Sequence, residues 1–231
     1  MAFEQTDHRF YGRRKGKPLK AGRERLLDTL LPTLRVPPPE GPVEPASLFS
    51  GQKDVWLEIG FGSGEHLASQ AETHPGVGFL GAEVFLNGVA SLLRHVDERK
   101  LANVRIYDSD VRTLLPAFPA SSLKRISLLF PDPWPKTRHA KRRFVGPSNL
   151  NEVSRLLADG GEFRVATDHP IYARWTLQHV PQHPDFEWRV AGPDDWRARP
   201  ADSTPSRYEQ KAVAAGRTPM FLRFFRKPRT A

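Results

Sequence analysis

Val55-Trp-Leu-Glu58-Ile-Gly60-Phe-Gly62-Ser-Gly64-Glu65-His66 is the stretch on which the fold of this chain turns. A short apolar run gives way to three glycines at alternate positions, and residues 65–73 then follow a helical period. The segment is therefore a buried strand, a tight turn and a helix. The same rhythm repeats downstream. Residues 78–83 predict a second strand, followed by a helix with Val89, Leu92, Leu93 and Val96 on one face. Residues 103–107 predict a third strand with a short helix over 111–115, and residues 126–130 a fourth. Leu150, Val153, Leu156 and Leu157 mark the next helix, with Ser148 as its N-cap. Gly160-Gly161 is expected to stop that helix before a fifth strand over 162–166. Such alternation predicts an α/β domain, a mostly parallel sheet with helices on both faces. Residues 186–190 and 220–225 supply two more strands, including an antiparallel pair at one edge.

The composition narrows the chemistry. With 231 residues and no cysteine, the chain can bury a core without disulfides, and iron–sulfur clusters, Cys-type zinc sites and cysteine nucleophiles are excluded. The opening residues are polar and no apolar run is long enough for a membrane span, which predicts a soluble, cytoplasmic protein. The net charge of +9 is unevenly placed. Residues 1–25, 136–143 and 217–231 each net +5, so the remainder carries −6. An acidic body with three basic patches predicts a polyanionic partner. Five prolines between Pro37 and Pro45 read as a stiff linker. Ahead of it Leu26, Leu27, Leu30 and Leu31 stand at helical spacing, closed by Pro32. Residues 1–45 thus form a basic arm, a short helix and a linker, and residues 46–231 the main domain. His179 and His183 stand four apart, yet Pro181 and Pro184 break any helix there, so no metal site is expected.

Two motifs carry chemistry. Gly60, Gly62 and Gly64 permit a ligand to approach the backbone beyond the carboxyl end of a strand. A dinucleotide fingerprint would place Gly or Ala where Glu65 stands, and a carboxylate there would repel a pyrophosphate. Glu58, two residues before the first glycine, suits a cationic ligand instead, as S-adenosylmethionine is. Glu83, at the end of the second strand, is placed to accept ribose hydroxyls. The second motif is Phe130-Pro-Asp132-Pro-Trp134-Pro-Lys136, at the carboxyl end of the fourth strand and running into the basic stretch 136–143. Prolines on both sides of Asp132 restrict its backbone, so an acid is held beside an aromatic ring.

These two motifs, with Lys136-x-Arg138-His-x-Lys-Arg-Arg143, Ala166-Thr-Asp168 and the closing Ser206-Arg207-Tyr-Glu209 ahead of Gly216, resemble the bacterial tRNA (guanine-N7-)-methyltransferase family over roughly residues 54–226. The resemblance implies a class I, Rossmann-like methyltransferase fold with a seven-stranded, mostly parallel sheet. It implies S-adenosyl-L-methionine as methyl donor and a guanosine of the tRNA variable loop as acceptor. Glu58, Glu83, Asp110 and Asp132 would be the acids that contact the cofactor, beside the glycine turn, with Asp132 also at the catalytic centre. Lys136, Arg138, Asp168, Ser206, Arg207 and Glu209 would contact the tRNA. Ser206 stands where the family usually has Thr, and Thr204-Pro205 offers a competing register for this last motif. Monomer and homodimer are both compatible with the sequence. Two other functions remain open at this point. Amino-group methyltransferases of nucleic-acid bases carry a [DN]-P-P-[YFW] turn at the same place, but this chain has Asp-Pro-Trp. A non-catalytic RNA-binding module would be expected to lose the acids Glu58, Glu83 and Asp132, which are intact.

Overall fold

The computed structural model describes residues 14–230. Seven strands form one sheet in the order β3-β2-β1-β4-β5-β7-β6. They are β1 (Asp54–Ile59), β2 (Val77–Ala82), β3 (Val104–Tyr107), β4 (Leu123–Leu129), β5 (Leu157–Thr167), β6 (Phe186–Trp188) and β7 (Met220–Arg226). The first five pair in parallel, and β7 lies antiparallel between β5 and β6. The predicted antiparallel edge pair is thus present. The chain steps outward from β1 through β2 to β3, then returns to the other side of β1 with β4. That reversal leaves a crevice at the carboxyl ends of β1 and β4, where open α/β sheets hold ligands.

Side chains alternate across each strand, so the sheet carries a core on both faces. On one face Phe79 packs with α2 (Leu31–Leu34), α3 (Glu65–Thr73) and α4 (Leu86–Arg99). Val89, Leu92, Leu93 and Val96 of α4 are buried there, as their spacing predicts. Complete burial of such side chains stabilises by about 1.5–3 kcal/mol each. On the other face Val55, Leu57 and Leu80 pack with α5 (Pro147–Leu156) and α6 (Pro170–His179). The N-terminal α1 (Ala21–Thr29) lies against α4. Residues ahead of the proline-rich linker join the same body: Leu31, Leu34 and Val36 are buried, and Val36 donates its N–H to the Ile106 carbonyl at 2.8 Å.

Local expectations fail where backbone detail decides. Pro32 opens α2 near its N-terminus, a position that lacks a hydrogen-bond partner anyway, and does not close a helix. Gly146 is the N-cap of α5 with Pro147 at its first position, so Ser148 lies inside the first turn. Residues 111–115 form no single helix but the 3₁₀ turns Val111–Thr113 and Leu115–Ala117. Gly160 does not stop α5, which ends at Leu156 and leads directly into β5. It sits instead at φ 75° inside an irregular stretch of β5, where the register to β4 shifts. Two short helices, α7 (Asp194–Arg197) and α8 (Arg207–Ala214), precede β7.

Candidate active site

A cleft of about 970 Å³ opens at the strand-order reversal. Its walls bring together Glu58, Gly60, Gly62, Glu83, Asp110 and Asp132 with Ser206 and Arg207. Gly60 and Gly62 adopt φ of 67° and 57°, and nothing lies within 4 Å of where a Cβ would stand on either. The turn therefore offers bare backbone to a ligand. Gly64 serves packing instead. At φ 79° it begins α3, and a Cβ there would come within 2.7 Å of Leu92. Gly88 of α4 is tighter still, since its Cβ would meet the Gly62 carbonyl oxygen at 2.2 Å. The glycines let α3 and α4 close on the turn.

Each acid of the cleft is held differently. Glu58 is buried and bonded to His66 Nδ1 at 2.7 Å, a partnership the sequence did not disclose. Glu83 accepts three backbone N–H groups: Gly62 at 2.9 Å on Oε2, Val84 at 2.8 Å and Phe85 at 2.9 Å on Oε1. A carboxylate has about four lone-pair sites, so one on Oε2 remains for a ligand hydroxyl. Burial pushes the Glu83 carboxyl above its ordinary value, against those three N–H groups, and the charge of Asp132 adds to the rise. Asp110 caps the turn after it and also holds the Arg112 guanidinium, with Nε 3.0 Å from Oδ1. Any ligand contact at Asp110 therefore competes with Arg112. Asp132 lines the cleft and is exposed to solvent.

The loop bearing Asp132 is conformationally unusual. Phe130 and Trp134 both adopt left-handed backbone, at φ 51° and 42°, which costs of order 1–3 kcal/mol per non-glycine residue. The Phe130 N–H reaches the Ala166 carbonyl at 2.7 Å, so the loop departs directly from the sheet ladder. Across the mouth, Tyr208 of α8 stands 5.9 Å from the Phe130 ring and is 55% exposed. Ser206 caps α8 by accepting the Glu209 N–H at 3.1 Å.

The other expected substrate residues are dispersed. Lys136, the N-cap of the 3₁₀ segment Thr137–Arg142, and Arg138 within it are exposed beside the cleft and do not line it. Asp168 accepts from Arg217 at 2.6 Å. Glu209 is buried and bonded to Arg199 at 2.7 Å, so it holds the chain before α8. The electrostatic layout is ordered nonetheless. Acids line the floor, and Arg207, Lys211, Lys141 and Arg142 lie around it, which suits a cation inside and a polyanion across the mouth. Neither His179 nor His183 has a metal-site geometry. His179 stacks on Trp175 at 3.9 Å and His183 bonds to Asn151 at 3.0 Å. Among the described residues no group of three or more His, Asp or Glu side chains is arranged to hold a metal, and no helix is long and apolar enough to cross a membrane.

Fold and cleft together define a Rossmann-like α/β domain with a ligand cleft at the strand-order reversal. Solved structures of an rRNA methylase from Streptococcus thermophilus (TM-score 0.51, 9% identity, 77% of this chain and 89% of that one) and of an S-adenosylmethionine-dependent O-methyltransferase from Thermotoga maritima (TM-score 0.51, 15% identity, 94% and 69%) share the architecture. A family model described as "Putative methyltransferase" matches residues 52–222. The tRNA (guanine-N(7)-)-methyltransferase of Rhodospirillum rubrum is 56% identical over 97% of this chain and 90% of its own length. That of Paramagnetospirillum magneticum is 52% identical over 96% and 94%. The chain belongs to the tRNA (guanine-N(7)-)-methyltransferase family.

Proposed function

We propose that this protein transfers the methyl group of S-adenosyl-L-methionine to N7 of a guanosine in tRNA, and that it does so in the cytoplasm, where tRNA is met. The observation that carries the proposal is the cleft at the strand-order reversal, with bare glycine backbone, acids on its floor and basic residues around it.

The donor supplies an electrophilic sulfonium methyl. Guanine N7 has an in-plane lone pair and no proton, so the bond to carbon forms as the sulfur–carbon bond breaks, without a general base. Alignment and electrostatics are then the protein's contribution. Gly60 and Gly62 admit the donor to the backbone, Glu83 offers its remaining lone pair to a ribose hydroxyl, and Glu58, fixed by His66, faces the cationic end. Asp132 stands where the guanine edge must lie. Its carboxylate accepts from the guanine N1–H and the exocyclic N2 amino group and stabilises the positive charge that the purine acquires. Tyr208 and Phe130 frame the entrance, where an aromatic face can stack on an unpaired base. Lys136, Arg138 and Lys141, with the basic arm within residues 1–45, hold the RNA backbone.

The test is to incubate the protein with labelled S-adenosylmethionine and unmodified tRNA transcripts, digest to nucleosides and identify the product by chromatography and mass. Label in 7-methylguanosine is expected. Label in a base carrying a methylated amino group would move the chemistry to the amino-methyltransferase class, and cofactor binding without any labelled tRNA would contradict the acceptor.

A further inference from the structure

Arg143 closes the basic run 136–143, and its composition places it with the RNA-binding charges; its surroundings do not. Arg143 is 8% exposed, whereas Lys136, Arg138 and Lys141 stand in solvent. Its guanidinium donates from Nε to the Pro133 carbonyl at 3.1 Å and from Nη2 to the Trp134 carbonyl at 2.9 Å. The same group lies over the Trp175 ring, 4.5 Å from its centroid. Trp175 is itself fixed, because its indole N–H donates to the Val145 carbonyl at 2.6 Å and His179 stacks on it.

The Asp132 loop needs such a clamp. Pro131, Pro133 and Pro135 have no N–H, so the loop cannot bind itself into a backbone ladder. Its two left-handed residues, Phe130 and Trp134, persist only where the surroundings over-determine them. Arg143 holds the carbonyls one and two residues past Asp132 with a rigid, planar pair of donors, a geometry that lysine cannot reproduce. It lines the wall of the cleft, yet with one face on Trp175 and two nitrogens on loop carbonyls it exposes only 8% of its surface, far less than its neighbours in the run.

We propose that Arg143 is a positioning residue for methyl transfer, which fixes the Asp132 loop through two carbonyls and makes no contact with RNA. The proposal rests on the function proposed for the cleft and names a residue that acts through Asp132.

The experiment compares Arg143→Gln and Arg143→Lys with Arg138→Ala in the full-length protein. The readouts are single-turnover transfer at saturating donor and tRNA, donor affinity by calorimetry, and the slope of tRNA affinity against salt. For Arg143→Gln the expected result is a rate about 10- to 100-fold lower, because a loop displaced by an ångström loses alignment. Donor affinity and salt slope should stay at the wild-type value. Arg143→Lys, which reaches one carbonyl, should fall between. Arg138→Ala marks what the loss of one phosphate contact looks like, with the salt slope lowered by about 0.7–0.9. A lowered salt slope with an intact saturated rate in Arg143→Gln would overturn the proposal and return Arg143 to the RNA interface; an unchanged rate would also overturn it. If neither Arg143 variant folds, Trp175→Phe loosens the clamp from its other side. A lowered rate at unchanged salt slope is then expected, and an unchanged rate would overturn the proposal. The labelled nucleoside made by the wild-type protein reports separately on the function, since rate ratios can be taken on whichever product forms.

Discussion

The run 136–143 and the C-terminal segment 217–231 carry the same charge in the sequence, but apart from Arg143, which is buried, they differ in how far the structure engages them. Lys136, Arg138 and Lys141 are exposed beside the cleft. The C-terminal cations are engaged within the protein: Arg217 with Asp168, Arg223 with Glu162, Arg226 with Asp185, and Arg229 with Asp159, while Lys227 reaches the Pro184 carbonyl. A strand and its flanks deliver these residues to acids of neighbouring strands and loops. The 3₁₀ segment after Trp134 has no acid within it. Local charge is therefore open to an external partner only where the fold leaves it without internal acids.

The contrast between the two basic segments can be attacked from either side. Arg226→Met removes a buried guanidinium that serves Asp185 and the Ser154 carbonyl. Unfolding in urea should show a loss of about 1–3 kcal/mol, with the salt slope of tRNA binding unchanged. A slope lowered by about one would place Arg226 on RNA and end the distinction. Replacing Lys136, Arg138 and Lys141 together by Ala should do the converse. Stability should stay within about 0.5 kcal/mol per site, and the salt slope should fall by roughly two to three.

A smaller effect sharpens the structural side. On one face of the sheet, Arg125 of β4, Glu162 and Arg164 of β5 and Arg223 of β7 form a charged row, closed by Asp202 from the segment before α8. Burial raises the Asp202 carboxyl, but the hydrogen bond and charge of Arg164, then those of Arg125, outweigh it and bring it down to about 2. A depressed carboxyl contributes stability above its ordinary value of 3.8 and loses it as the pH falls towards about 2. Denaturant unfolding of wild type and Asp202→Asn should show a constant gap above about pH 4 that closes on acidification. A gap independent of pH down to about 2 would mean that the network does not depend on this charge.

Much of this molecule is legible in its sequence because the decisive signals are local. The strand-turn-helix at 55–73 is set by consecutive residues, and so is the proline-flanked Asp132. The face Val89, Leu92, Leu93 and Val96 lies within one helix. What escapes is set by partners distant in the chain. Arg143 stacks on Trp175, Glu209 is held by Arg199, and Asp168 is taken by Arg217. Sequence reasoning counts Arg143 as an RNA contact because charge is visible there and burial is not. The nearest available sign was the apolar pair Phe144-Val145 that follows it, which marks the chain turning inward. Gly160 misleads for a related reason: a glycine pair signals left-handed backbone, but a helix end and a strand bulge both use it.

In the function proposed for it the cleft divides its labour, with Glu83 and the glycine turn holding the donor and Asp132 serving the transfer itself. Asp132→Asn separates the two, with donor affinity measured by calorimetry and single-turnover methylation measured at saturating donor and tRNA. Donor affinity should stay within about threefold of wild type while the transfer rate falls by about 100-fold, the size seen when one preorganised electrostatic contact is removed. An unchanged single-turnover rate would refute the division of labour.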